Sequence, residues 1–398
     1  MKKYLIHIMF MIAASACLAS CVYPFNPEMP DGQTGIVVIE GDILIGEVSP
    51  VMVTYSGSLA KFGSIPKNID AQVWVEDSRG AVYNSGLVDE EGVHYVDMTD
   101  ADPSLEYCLH VINLENSKEY VSRFERCCGT PVIDSLSYIP DEARNKLNIA
   151  LSMHAKGESY FRWSYVEDWE YHAYYHALLK YIPPETRYVW GQPNHVGNGQ
   201  IVPFDYPENT YYCWNHDESD QIMIFSTEKQ TEDRFVDLEF HQIDRNDRRI
   251  SYIYHIEVNL EPMTKDAYQY WANIKQNSDY SGSLFAPTPS EMMGNIKCVQ
   301  DESEQVLGFI NVAQRAQSKL YVHNGEAKFY KDPDLHVPET IQPSMNDWYD
   351  RYTNGFLPYY TDTPGAYSSA YWSEARCLDC RLLGGNKNRP DWWITKDE

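Results

Sequence analysis

Positive charge is scarce in this sequence: 32 Lys and Arg stand against 58 Asp and Glu, for a formal net charge of -26. A surface of that sign repels phosphate backbones and anionic headgroups, which excludes nucleic acid as a partner. It names no partner itself, and its plain consequence is solubility. Long apolar runs are also missing beyond the N-terminus, where no segment reaches the roughly 20 residues of a membrane-spanning helix. The chemical signatures are absent too. There is no GxSxG nucleophile elbow, Walker loop, GxGxxG, HExxH or EF-hand loop. No catalytic residue, metal or cofactor is therefore assigned, and the chain reads as a non-enzyme.

What is present begins at the N-terminus. Lys2 and Lys3 form a positive head, Tyr4 to Ala16 a short apolar core, and Leu18-Ala19-Ser20-Cys21 a small-residue end. These are the parts of a secretory signal. The end resembles the bacterial lipobox, whose cysteine is acylated and becomes the first residue of the mature protein, so Cys21 is the expected lipid anchor. Each buried methylene of such chains contributes about 0.8 kcal/mol, enough for several chains to hold a protein on a bilayer. Residue 22 is Val rather than Asp, and the bacterial sorting rule then makes the outer membrane the default destination. Residues 1–20 read as a signal peptide. Residues 21–34, with Pro24, Pro27 and Pro30, read as an extended tether. The cell-surface side is preferred to the periplasmic side, although Glu28 and Asp31 make no dense acidic run.

The remaining length suits two or three domains. Residues 35–131 hold about seven short segments of strand character separated by turn signals, among them "GIVVIEGDIL" and "NIDAQVWVEDSRGAVYNSG" with Asp77-Ser78-Arg79-Gly80 as a hairpin turn. That spacing predicts a β-sandwich of immunoglobulin or fibronectin type. Residues 132–328 read as a second, larger, mainly β domain. In "KLNIALSMHA" Leu147, Ile149, Leu151 and Met153 share one face; in "SYIYHIEVNL" Tyr252, Tyr254, Ile256, Val258 and Leu260 do. One helix is predicted, capped by Thr264, with Asp266 near its positive end and Tyr268, Trp271 and Ile274 as its apolar stripe. Residues 329–398, rich in Pro, Tyr and Trp, read as an irregular wrap on the second domain. The fold class is thus all-β, or mainly β.

An exported chain can hold disulfides. Besides Cys17 and Cys21 there are seven cysteines, an odd number, so at least one thiol is free or pairs between chains. Cys377-Leu-Asp-Cys380 lacks the second half of a zinc ribbon and a thioredoxin-like context, so a structural disulfide is preferred there. Cys213 with Cys298 is a second candidate pair. His172 and His176 have the spacing of helical metal ligands, but their aromatic surroundings suit a strand or loop. Neighbouring carboxylates such as Glu167 and Asp168 are expected by chance in so acidic a chain and receive no role.

Beyond these readings, "CVYPFNPE", "VVIEGDI", "GTPVIDSLSY", "SYFRWSYVEDWEYHA", "DAYQYWANIK", "GSLFAPTPSEMMGNIKC" and "CLDCRLLGGNKNRPDWW" stand in this order along the chain. In them the sequence resembles the DUF4249 family of Bacteroidota outer-membrane lipoproteins. The family supplies no catalytic residue. The genomic neighbours of its members, TonB-dependent outer-membrane transporters, imply an accessory role in nutrient uptake. Asp134-Ser135-Leu136 also resembles the short O-glycosylation signal of these bacteria, which makes Ser135 a candidate acceptor.

Aromatic residues are dense: eleven lie between Tyr160 and Trp190, and nine between Trp348 and Trp372. Many will fill or edge a β core. The stretch "ETRYVWGQPNHVGNGQIVPFDYPENTYY" reads as a loop, however, and Tyr188, Trp190, Tyr206, Tyr211 and Tyr212 cannot all face a core from it. They are the candidate binding face, together with the C-terminal wrap. The leading expectation is a non-catalytic, outer-membrane-anchored binding subunit of a TonB-dependent β-barrel transporter that also meets an unidentified small ligand. A surface hydrolase acting on glycans or peptides is the alternative, and a purely structural envelope protein a third.

Overall fold

A computed structural model of the chain describes residues 35–56, 67–190, 192–204, 210–280, 294–331, 339–390 and 392–393. Cys21 and the tether lie outside the described residues. The protein is mainly β. In the first unit β1 (Val37–Gly41), β2 (Val48–Tyr55), β3 (Ala71–Asp77), β4 (Val82–Val88), β5 (Val93–Asp97), β6 (Glu106–Asn113) and β7 (Lys118–Ser122) follow one another. Their spatial order is β7-β6-β3-β4-β5-β2-β1. Strand β4 pairs with β3 up to Asn84 and with β5 from Ser85 onward, with a register shift between Ser85 and Leu87. The path thereby divides into two faces. Ile39, Val51 and Val53 of one meet Val73, Val75, Leu109 and Val111 of the other in one core, which makes a β-sandwich. The expected turn is present: the Asp77 carboxylate accepts from the backbone N–H of Arg79 and Ala81, and Gly80 takes φ 85°, a conformation that favours glycine.

The second unit comprises β8 (Val132–Asp141), β9 (Lys146–His154), β10 (Tyr160–His172), β11 (Glu185–Val189), β12 (Gln192–Val196), β13 (Tyr212–Glu218), β14 (Arg234–Asp244), β15 (Ile253–Pro262) and β16 (Ala316–His323). One sheet runs β8-β9-β14, the other β13-β10-β15-β16. Leu147, Ile149, Leu151 and Met153 pack against Tyr254, Ile256, Val258 and Leu260, the two faces that the period-two pattern marks. Tyr252, placed with them in the sequence, precedes β15 and is exposed. Helix α1 (Lys265–Tyr280) forms where predicted. Its Thr264 hydroxyl accepts from the Ala267 N–H, and Tyr268, Trp271 and Ile274 pack beside Met263, Ala267, Tyr270 and Phe309.

Two boundaries differ from expectation. Residues 132–328 do not form one contiguous second domain, because the chain returns to the first sandwich after α1. Ile296–Cys298 adds to β7, Val306–Leu307 runs parallel to β1, and Val312–Ala313 pairs with Ile43–Leu44. Ile296, Val306, Ile310 and Val312 complete the first core. Strands of two or three residues are too short to show a period, so the sequence carries no sign of them. The C-terminal wrap is also more regular than expected. Phe356–Tyr360 pairs with Tyr371–Glu374, and Trp348, Ala370 and Trp372 share a small core with Leu179, Tyr181 and Ile201.

Candidate ligand cleft and exposed aromatic hairpin

The outer face of the second sheet carries a polar rung. Strand β10 is its central strand, and successive side chains point to opposite faces. Glu167 points inward, where it accepts from Tyr254 Oη at 2.6 Å, His241 Nε2 at 3.1 Å and Arg249 Nη1 at 2.5 Å. Burial pushes its carboxyl up, but those bonds and the Arg249 charge outweigh it and leave the group below its ordinary value. Asp168 points outward. In register it stands opposite His216 of β13 on one side and His255 of β15 on the other. His216 Nδ1 donates to Asp168 at 2.7 Å, and His255 Nδ1 lies 3.5 Å from the other carboxylate oxygen. The second contact is electrostatic and lacks hydrogen-bond geometry. Burial raises the Asp168 carboxyl, but the two imidazoles outweigh burial and hold it low. The hydrogen bond to Asp168 raises the His216 imidazole.

The C-terminal segment covers this rung. Asn386 exchanges backbone hydrogen bonds with Trp214, Trp393 Nε1 donates to buried Glu170 at 2.7 Å, and the Trp392 ring lies 4.4 Å from that of His255. Between sheet and segment is a cleft of about 480 Å³. Three buried polar atoms in its lining have no hydrogen-bond partner: His255 Nδ1, His255 Nε2 and Trp214 Nε1. Among the described residues no group of three or more His, Cys, Asp or Glu is placed to hold a metal ion.

The C-terminal wrap was expected to form part of a binding face and supplies Asn386, Asn388 and Trp392 to the cleft; Asp168, as a neighbour of Glu167, received no role, and nothing in the sequence singled out His216, His255 or Trp214. His216 and His255 are scattered along the chain, and only strand register aligns them with Asp168. His172 and His176 do not adopt the helical arrangement their spacing permits. His172 ends β10 with its ring 3.9 Å from Tyr252, and His176 packs beside Tyr211 at 5.0 Å.

The disulfide expectation is corrected. Cys380 bonds to Cys213, and Cys377 and Cys298 are free. The physical reason is placement. Cys213 lies on β13 beneath the C-terminal segment, whereas Cys298 pairs with β7 in the other unit. The Cys377 carbonyl instead accepts from the Tyr175 N–H.

The stretch read as a loop is two nested strand pairs, Leu179–Ile182 with Gln200–Pro203 and β11 with β12. Val189 pairs with Gln192, and Trp190 follows β11 at the tip. Trp190 is 97% exposed at φ 55°, and Tyr188 is 75% exposed. The candidate face is only partly assembled. Tyr211 and Tyr212 sit instead at the root of this excursion around His172, Tyr211 half-buried beside Cys213 and Cys380. Tyr206 lies outside the described residues. The hairpin and the wrap do meet, with His195 of β12 at 4.0 Å from the ring of Tyr349. Ser135 is exposed on β8, beside a bulge between Ile133 and Ser135.

Residues 22–319 match the model of a family described as a domain of unknown function, DUF4249. No curated protein matches the chain significantly. Among solved structures, a segment of two fibronectin type III domains from chicken tenascin is similar at 10% identity and a TM-score of 0.16, covering 71% of this chain and 96% of that one. The B domain of a biofilm-associated protein is similar at 8% identity and a TM-score of 0.15, covering 74% and 88%. At such scores neither likeness bears on the fold, which rests on the strand pairings. Among the described residues no helix is long and apolar enough to cross a membrane.

Proposed function

The chain belongs to the DUF4249 family, and from that premise we propose that it is a lipid-anchored outer-membrane protein that binds rather than catalyses. In this reading it is an accessory subunit of a TonB-dependent barrel transporter in nutrient uptake. The lipobox-like Leu18-Ala19-Ser20-Cys21 supports the anchor. The observation that carries the binding role is the hairpin tip. Trp190 is almost wholly in solvent and holds a positive φ, a backbone conformation uncommon for a bulky residue. Packing within the chain does not demand an indole there. Exposed Tyr and Trp on a hydrogen-bonded ladder are the residue types that anchor protein interfaces.

The test is a mild-detergent pull-down of the lipidated protein from native outer membranes, with co-purified proteins identified by mass spectrometry. The expected result is a TonB-dependent barrel in near-stoichiometric amount. The double variant Tyr188→Ala/Trp190→Ala should lower its recovery by about tenfold or more, as loss of a hot spot does, while stability changes by only about 0.5 kcal/mol. No barrel with the native protein, or equal recovery with the variant, overturns the reading.

A surface hydrolase on glycans or peptides is the second reading. Asp168 beside His255 favours it, as a carboxylate–imidazole pair in a cleft. Against it, both carboxylates of the cleft wall are already engaged, Asp168 with His216 at 2.7 Å and Glu257 with Lys319 at 2.9 Å. Binding is therefore preferred.

A further inference from the structure

The cleft over the Asp168 rung has unmet hydrogen-bonding capacity. His255 is 1% exposed, yet neither ring nitrogen makes a hydrogen bond, Nδ1 having only the 3.5 Å electrostatic contact with Asp168, and the buried Nε1 of Trp214 makes none either. A buried donor or acceptor left unpaired costs about 1–3 kcal/mol. Both side chains line one cleft, so the cost is relieved together by whatever enters it.

The lining selects the class of that occupant. An apolar molecule would leave all three atoms unpaired. An anion would approach the carboxylates of Asp168 and Glu257, both at the cleft wall. A cation would find both already engaged, Asp168 with His216 at 2.7 Å and Glu257 with Lys319 Nζ at 2.9 Å. What remains is a neutral molecule whose groups both donate and accept. Hydroxyls do this. They accept from the Trp214 N–H and donate to an imidazole nitrogen or a carboxylate oxygen, and the amide of Asn388 at the rim can do either. A volume of about 480 Å³ falls within the roughly 300–1,000 Å³ of small-molecule sites.

We propose that this cleft binds a neutral polyhydroxylated ligand, a sugar unit, beneath the C-terminal segment. His255 and Trp214 supply the buried polar contacts, Asp168 orients His255, and Trp392 closes the site. The proposal rests on the reading of the protein as a binding protein and names the chemistry of its ligand. It needs no barrel, so its test and the pull-down fail independently.

The experiment uses the full lipidated chain in a detergent without a sugar headgroup. Glucose, galactose, mannose, N-acetylglucosamine, cellobiose and maltose are titrated by calorimetry and by intrinsic tryptophan fluorescence. Inorganic phosphate serves as the anionic probe and glycine betaine as a zwitterionic one. Saturable binding of at least one sugar, with a fluorescence change, is expected. His255→Phe keeps a ring against Trp392 but removes both nitrogens and should weaken binding by about tenfold. Asn388→Ala, at an exposed rim position with little consequence for folding, should weaken it by about threefold. It decides the question should His255→Phe fail to fold. The proposal is overturned if none of the six sugars binds saturably, if phosphate or betaine binds more tightly than any sugar, or if sugar affinity is unchanged in Asn388→Ala and in every folded His255 variant.

Discussion

Asp168 and Glu167 are adjacent in sequence and opposite in role. One closes a buried network with Tyr254, His241 and Arg249, and the other carries the outer rung with His216 and His255. The rung has a definite pH signature. The His216 pKa is raised by its bond to Asp168, so its contribution to stability is complete below the ordinary imidazole value of about 6.5 and is lost as pH climbs through the raised folded value. The Asp168 pKa is lowered, so its contribution is present above about 3.9 and lost as pH falls through the lowered value. Asp168→Asn is expected to return the His216 titration, followed by NMR of its ring, to the usual imidazole range. It should also flatten the stability decline above about pH 6.5. An unchanged His216 titration would remove Asp168 as the cause.

At the scale of elements, the C-terminal segment is held on β13 by one covalent and several polar ties. The Cys213–Cys380 bond spans a sequence separation of 167, and the loop-entropy relation assigns closure of that length about 5 kcal/mol. Strain and residual structure usually reduce such a figure. Cys213→Ser/Cys380→Ser is expected to lower the denaturant midpoint and to make the region after Trp348 the first to be cut in limited proteolysis, with β1–β7 still protected. Simultaneous cleavage throughout the chain would count against a local tie. The predicted and observed elements differ for reasons of length. β9, β15 and α1 were legible because each repeats its period over eight residues or more. The β11–β12 hairpin was not, because polar residues and a proline interrupt "ETRYV" and "QPNHV".

In the whole molecule the two sandwiches meet around one guanidinium. Arg162 of β10 bonds to Glu261 at 2.5 Å and to Asp42 of the first unit, and stacks on Trp271 at 4.9 Å. Asn311, on the returning segment, donates its backbone N–H to the Asp42 carboxylate and its side-chain amide to the Pro262 carbonyl. Burial pushes the Asp42 carboxyl up, and the opposing charge of Arg162 does not cancel it. Removing one partner of a buried ion cluster leaves uncompensated charge and costs about 3–5 kcal/mol. Arg162→Met is expected to lose stability of that order in denaturant unfolding. The triple variant Arg162→Met/Asp42→Asn/Glu261→Gln should recover most of it, because no charge is then left unpaired. A single variant as stable as the native protein would mean that the cluster does not hold the units together.

By itself the sequence determined the things that repeat or accumulate locally. The acidic surface follows from composition, the mainly β class from period two, the capped helix from Thr264 and its stripe, and the family resemblance from ordered segments along the chain. Tertiary structure decided everything that depends on register between distant strands. It set the return of residues 294–313 to the first sandwich, paired Cys213 with Cys380 rather than Cys298, and aligned Asp168 with His216 and His255. Those choices follow from which strands become neighbours, and a one-residue slip of β13 or β15 would turn each histidine to the opposite face and dissolve the rung.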